Sequence, residues 1–242
     1  MPKIWGNPFT SAILKVERAE KHISDLQAAI LEIDFCRVFT QYNAETGESR
    51  IIAECAPVPP VIPLITGDAI HNLRAALDYL VSEIAFAVTD RESKHIKFPI
   101  GESWEKLVAS LPSIREARPD IADHIASVVK AYKGGNDALW TLHSLDIRDK
   151  HRLLIAHVQT AGIGGVEAKI KGGTFHTVPW SVFFGGRFCL AKIHGEIENY
   201  CYGKPTGEIL FDEGKITTEP VIPTLLARRD EVLRVIDGVS SL

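Results

Sequence analysis

The 242-residue sequence has few of the features that identify a protein class directly. Its four cysteines, Cys36, Cys55, Cys189 and Cys201, include no close Cys-x-x-Cys pair of the kind found in zinc or redox motifs. Basic residues are not in excess, because 27 Lys and Arg stand against 31 Asp and Glu, so no global positive field attracts nucleic acid. No apolar run approaches the roughly 20 residues of a membrane span. We therefore expect no membrane association, four free thiols, and neither a metal nor another cofactor.

Export and nucleotide-binding signals are missing as well. Residues 1–10 show no basic segment followed by an apolar one, so we expect a cytoplasmic protein. Neither a Gly-x-x-x-x-Gly-Lys-[Ser/Thr] loop nor a Gly-x-Ser-x-Gly or His-Glu-x-x-His motif occurs. A phosphate-binding glycine loop leads into the N-terminus of a helix, whereas the glycines at 162–165 follow a predicted helix, so we do not expect them to bind a nucleotide. What the chain has is 45% hydrophobic and 24% charged residues, which is typical of a folded globular protein.

Apolar periodicity predicts an α+β fold: a helical bundle with an N-terminal β-hairpin, a C-terminal antiparallel β-layer and a terminal helix. The predicted helices cover residues 11–33, 67–88, 103–111, 121–132, 137–157 and 223–236. The hairpin pairs 35–42 with 50–55, and the β-layer is a meander that includes 166–170, 182–184, 188–193 and 209–211. The prolines at 57, 59, 60 and 63 predict that no regular element crosses that segment.

The predicted elements divide the chain near residue 160. Residues 1–160 form the helical bundle with the hairpin, 35–55, inserted into it, and residues 161–242 form the meander and the C-terminal helix. We expect the two parts to pack as one globule.

Polar residues lie along the apolar faces of two predicted helices. In the helix 67–88, His71, Arg74 and Asp78 follow one edge of the apolar arc at three- and four-residue steps. In the helix 137–157, a strip of polar residues runs among the leucines: His143, Asp146, Lys150, His157 and, close by, Asp149. Burying unpaired charges is costly, so we expect the two helices to pack with Arg74 or Lys150 bound to a carboxylate of the other helix.

Three interpretations of these polar residues remain open from the sequence alone. Neighbouring charges can bring histidine and carboxylate pKa values toward neutrality, which suits a site for general acid–base catalysis or ligand binding. The same groups can instead form a structural salt-bridge network. A metal site is the least favoured, because the cations Arg74 and Lys150 lie among the would-be ligands.

Two resemblances follow from these motifs. The helix Gly67-Asp68-x-x-His71-Asn72-Leu73-Arg74-x-x-Leu77-Asp78-x-Leu80 and the later Asp149-Lys150-His151-Arg152 resemble an uncharacterised bacterial family over roughly residues 1–160. That resemblance adds His151 to the candidate catalytic residues. A helical bundle with His-Asn-Leu-Arg on one helix is more distantly similar to HEPN domains, many of which are metal-independent ribonucleases that work as dimers. The HEPN Arg–His signature would fall on Arg152 and His157, or on Arg118 and His124.

The functional hypothesis is a metal-independent, HEPN-like hydrolase of a phosphodiester such as RNA, active as a homodimer. The alternatives are a non-catalytic interaction module with a structural ion network, and an enzyme that acts on a small molecule. A second nucleic-acid surface is not expected, because the aromatic residues of the C-terminal part have only Arg187 and Lys192 beside them. These aromatic residues, which we expect to be mostly core, are Phe175, Trp180, Phe183, Phe184 and Phe188.

Overall fold

The computed structural model describes residues 9–55, 57–89, 96–154, 156–171, 173–177, 180–182, 186–212 and 219–242. The chain forms two compact units. The helical unit groups Pro63–Leu154 with both ends of the chain, and the strand unit groups Ala29–Ile62 with Ile155–Val221. This is an α+β fold, as the sequence predicts.

One helix, Pro112–Ala117, has no counterpart in the sequence prediction, and the other helices begin and end close to their predicted limits with two exceptions. The helices are α1 (Thr10–Leu31), α2 (Val61–Thr89), α3 (Trp104–Ala109), α4 (Pro112–Ala117), α5 (Pro119–His124, continued by a π-helical turn at Ile125–Val129), α6 (Asp137–Asp149) and α7 (Val221–Ser240). The first exception is α2, which begins at Val61, so the expectation that all four prolines exclude a regular element is wrong for Pro63. Proline is tolerated in a first helical turn, where its missing N–H has no intrahelical acceptor.

The second exception is α6, which ends at Asp149 instead of continuing to His157. Residues Ala156–Ile163 form strand β3, so His157 belongs to a strand and not to the polar strip of a helix. The β-branched Val158 and Thr160 favour extended backbone, and β3 pairs with β9 over Val158↔Ile209. The helix-like spacing of apolar residues therefore continues past the real end of α6.

Antiparallel strands build the strand unit. They are β1 (Cys36–Asn43), β2 (Glu48–Cys55), β3 (Ala156–Ile163), β4 (Val166–Ile170), β5 (Gly173–His176), β6 (Trp180–Val182), β7 (Arg187–His194), β8 (Ile197–Tyr202) and β9 (Thr206–Phe211). They form three-stranded sheets in the orders β1-β2-β7, β6-β3-β9 and β5-β4-β8. The predicted hairpin is present, but its third strand, β7, comes from the C-terminal half of the chain.

The hairpin carries a disulfide bond. Cys36 and Cys55 lie directly opposite each other in the β1–β2 register, with their Cα atoms 4.1 Å apart, and their sulfurs are bonded. The prediction of four free thiols is therefore wrong for this pair, whereas Cys189 and Cys201 are free and exposed. Sequence spacing does not reveal the pair, because only the strand register brings the two residues together. Disulfides are rare in a reducing cytosol, so this bond weighs against the predicted location.

The compact units group the elements differently from the predicted division at residue 160. The hairpin joins the C-terminal strands, and α7 joins the helices near the start of the chain. Arg229 of α7 lies 3.4 Å from Glu20 of α1, and Glu231 accepts a hydrogen bond from Asn136, the residue that caps α6. Among the helices of the described residues, none is long and apolar enough to cross a membrane. Of the aromatic residues weighed above, Phe183 and Phe184 lie outside the described residues, and Phe175 and Phe188 are half-buried.

Candidate active site between α2 and α6

The two polar strips meet in the helical unit, as the apolar faces beside them predict. Leu73 and Leu77 of α2 and Leu142 of α6 are fully buried. Across the helix pair, His71 Nδ1 lies 3.0 Å from Asp146 Oδ1, and Arg74 Nε donates to His143 Nδ1 at 3.4 Å. We call these residues, together with Asp78, Asp149 and Lys150, the polar seam.

The predicted partners of the two cations are wrong. Arg74 binds Asp78 at 2.8 Å, and Lys150 binds Asp146 at 2.5 Å. Both pairs have i,i+4 spacing within one helix, where side chains are neighbours in any case. The links between the helices are made by the two histidines instead.

One end of the seam is closed by a clamp on the backbone of Phe98. Arg74 Nη2 donates to the Phe98 carbonyl at 2.9 Å, and Asp78 Oδ1 accepts from the Phe98 N–H at 2.8 Å. Phe98 is 1% exposed and Arg74 5% exposed, so these bonds satisfy backbone groups that water does not reach. Arg74 and Asp78 therefore have a structural role that the sequence does not show, because their partner is a backbone unit some twenty residues away.

The other end of the seam is open. The Asp146 side chain is 3% exposed, yet its two oxygens bind side chains that are about half exposed, His71 on Oδ1 and Lys150 on Oδ2. A carboxylate can only accept, so Nδ1 of His71 donates to Asp146, and in the neutral imidazole the lone pair is on Nε2. A buried carboxylate thus orients an imidazole and an ammonium group that both reach solvent.

His143 lies between these two ends and is half-buried. Burial lowers its pKa, and the neighbouring Arg74 guanidinium lowers it further. A neutral imidazole is also what the hydrogen bond requires, because Nδ1 must accept from Arg74 Nε. His143 is therefore suited to supporting Arg74 and less suited to carrying a proton at neutral pH.

Asp149 lies against α2 at Gly67, six residues after the helix begins at Val61. Burial raises its pKa, and the carboxylates of Asp146 and Asp68 raise it further. A Cβ atom at Gly67 would overlap the Asp149 carboxyl group, so glycine is required for this close approach. The contact explains a glycine inside a helix, which periodicity alone leaves without a reason.

The remaining candidates lie apart from this arrangement. His151 is exposed in the turn after α6, and its backbone N–H bonds to the Arg148 carbonyl. Arg118 forms an ion pair with Asp120, and His124 lies against Gly238 of α7. Within the described residues, no three His, Cys, Asp or Glu side chains are grouped so that they could hold a metal ion.

Comparison with protein-family models, with curated proteins and with solved structures finds no match to this chain. The two resemblances in the sequence therefore stay predictions, and the geometry of the seam is the basis for any functional inference.

Proposed function

We propose that the helical unit hydrolyses a phosphodiester, such as RNA, without a metal ion, at the open end of the polar seam. His71 is the general base, Asp146 orients it, and Lys150 binds the substrate phosphate. The HEPN resemblance adds a homodimer to the proposal. The observation that carries it is the buried Asp146 carboxylate, whose two partners are both exposed.

The burial of Asp146 favours a catalytic over a purely structural interpretation of this end. Burying a carboxylate is costly, and a surface ion pair adds little stability in return. In the neutral imidazole, however, the arrangement fixes the tautomer whose Nε2 can accept a proton, which is the geometry of a general base held by a carboxylate.

Lys150 supplies the charge that a phosphodiester substrate needs. Its ammonium group has three N–H donors, and Asp146 accepts one of them. The others can donate to phosphate oxygens, whose negative charge grows in the transition state. Because Lys150 and His71 share one carboxylate, both are positioned on the same side of α6.

The proposed reaction needs no oxidant or cofactor. Nε2 of His71 accepts the proton of the attacking hydroxyl, which is water or, in RNA, the neighbouring 2′-hydroxyl. The new P–O bond forms as the P–O bond to the leaving oxygen breaks, and the imidazolium returns its proton to that oxygen. Lys150 neutralises charge on the non-bridging oxygens throughout.

A second candidate function has support from the closed end. The Arg74–Asp78 clamp on Phe98 is a structural ion network, and a non-catalytic interaction module would need nothing more. The two candidates differ in what His71 does, because it takes no part in the clamp.

The test is cleavage of end-labelled RNA and of an activated phosphodiester, with a chelator present. We expect His71→Gln to lower the rate by about 100-fold, the scale of a lost general base, with little change in melting temperature. The matched control is His176→Gln, since His176 is also an exposed histidine beside a carboxylate, Glu167 at 3.5 Å. An equal loss in both variants, or cleavage that a chelator abolishes, would contradict the proposal.

A further inference from the structure

The strand unit presents a second surface with a chemistry of its own. In the β1-β2-β7 sheet, Arg37 and Phe39 alternate with the buried Cys36 and Val38, so they share the outer face. The strand register places their cross-strand neighbours in successive rows: Arg37, Glu54 and Arg187; then Phe39, Ile52 and Cys189; then Gln41, Arg50 and Lys192. We call these three rows the basic face.

The centre of the basic face is an aromatic ring with two guanidinium groups close to it. Arg187 Cζ lies 4.9 Å from the centre of the Phe39 ring, and Arg37 Cζ lies 5.5 Å from it. Cation–π contacts of this kind hold planar guanidinium groups at a fixed place. Arg37 also bonds to Glu54, and its side chain is still 69% exposed.

Charge on the face is predominantly positive. Its rows hold four cations, Arg37, Arg50, Arg187 and Lys192, and one carboxylate, Glu54. Glu48, in the next row, is held by Arg50, and its pKa is lowered by that hydrogen bond and also by Lys192. The sequence conceals this cluster, because two of the cations are in the hairpin and two are in β7.

We propose that the basic face binds single-stranded nucleic acid. Bases stack on aromatic rings and on arginine planes, and lysine and arginine bind the phosphates between them. The chain as a whole is acidic, so a local excess of cations around an aromatic residue is charge-complementary to a polyanion that also has flat apolar groups. An acidic protein would match the charge, but it has no flat bases to stack on Phe39 and Arg187.

The bound strand is expected to avoid the hairpin turn. An open hollow of about 630 Å³ lies there, and its lining includes Glu45 and Glu48 beside Gln41 and Arg50, which form the edge of the basic face. Carboxylates repel phosphates, so the track should run across Arg37 and Arg187 rather than toward the turn.

The experiment is fluorescence anisotropy of the whole protein with a labelled single-stranded oligouridylate. The probe carries 2′-O-methyl groups, so it lacks the internal 2′-hydroxyl nucleophile. We expect Phe39→Leu and Arg187→Gln each to weaken binding about tenfold, on the scale of one lost stacking contact. The Arg187 variant should also show a weaker dependence of affinity on salt. Phe39→Leu keeps an apolar side chain over Ile52, so the sheet should stay folded, as circular dichroism and melting will show.

Matched controls separate this inference from the proposed hydrolysis. Lys169→Gln removes a cation from β4 of a different sheet and should bind like the wild type. Lys169→Gln should also cleave the activated phosphodiester at the wild-type rate, so that a loss of binding and a loss of cleavage are measured separately. No binding by the wild type, equal loss in Lys169→Gln, or full competition by an acidic polypeptide would overturn the basic face as a nucleic-acid site. His71-dependent cleavage could still stand in each of those cases.

Discussion

Asp146 is the residue on which the open end of the seam depends. It is nearly inaccessible, yet both of its oxygens are bonded to side chains that reach solvent. Removing its charge would leave Lys150 without its partner and His71 without a fixed tautomer. Asp149, one turn of the helix further on, has a raised pKa, because burial and the neighbouring carboxylates of Asp146 and Asp68 make its ionised form costly.

The first prediction follows from the raised pKa of Asp149. A carboxyl group whose pKa is higher in the folded than in the unfolded state stabilises the fold below its ordinary pKa, and that contribution is lost as the pH rises through the folded value. Asp149→Asn resembles the protonated form at every pH. We therefore expect it to raise the melting temperature at neutral pH, by an amount that shrinks as the pH falls toward about 4.

Thermal denaturation of both proteins across this pH range measures the effect. Asp123→Asn is the control, because Asp123 is an exposed aspartate paired with Arg115 at 3.0 Å. If Asp149→Asn is less stable than the wild type at neutral pH, the ionised carboxylate stabilises the fold. Burial would then not be the main influence on the pKa of Asp149.

At the scale of elements, α2 has two separate roles along one face. His71 contributes to the open end, and Arg74 and Asp78, up to two turns further on, close the other end over Phe98. Helical periodicity predicts which side chains share this face and that α6 lies against it. It does not predict the ion pairs. Arg74 and Lys150 each have a carboxylate four residues away on their own helix, and they pair with it instead of reaching across to the other helix.

The hairpin gives a prediction at the scale of elements. Because Cys36 and Cys55 are bonded, protein purified without reductant and then denatured should titrate with two free thiols, Cys189 and Cys201. Cys36→Ser should raise that number to three, since it releases Cys55. Four free thiols in the unreduced wild type would show that Cys36 and Cys55 are not bonded, and would contradict the disulfide.

At the scale of the whole molecule, the sequence predicts the inventory of elements better than their grouping. Local patterns identify the hairpin, the terminal helix and most of the other helices. The pairing of β2 with β7 joins residues near 50 to residues near 190, and no local pattern specifies a partner at that distance. The basic face was missed for the same reason.

The regrouping leads to a prediction about fragments. A chain of residues 1–160 corresponds to the division near residue 160, but it lacks α7 from the helical unit and β7 from the hairpin's sheet. We expect this fragment to show no cooperative unfolding transition, whereas the full chain unfolds cooperatively. Calorimetry of both chains measures this difference. A cooperative transition in the fragment would show that the helices fold without α7.

The place of α7 also has a consequence for synthesis on the ribosome. The chain emerges from its N-terminus, and α7 is made after every other element described here, although its Arg229 and Glu231 contact α1 and the cap of α6. Buried residues of α7 such as Leu225 and Val232 therefore reach the helical unit only after the other helices of that unit have been made. Until then the nascent helices present uncovered apolar surface, which makes this period of biosynthesis the one in which the chain most needs a chaperone.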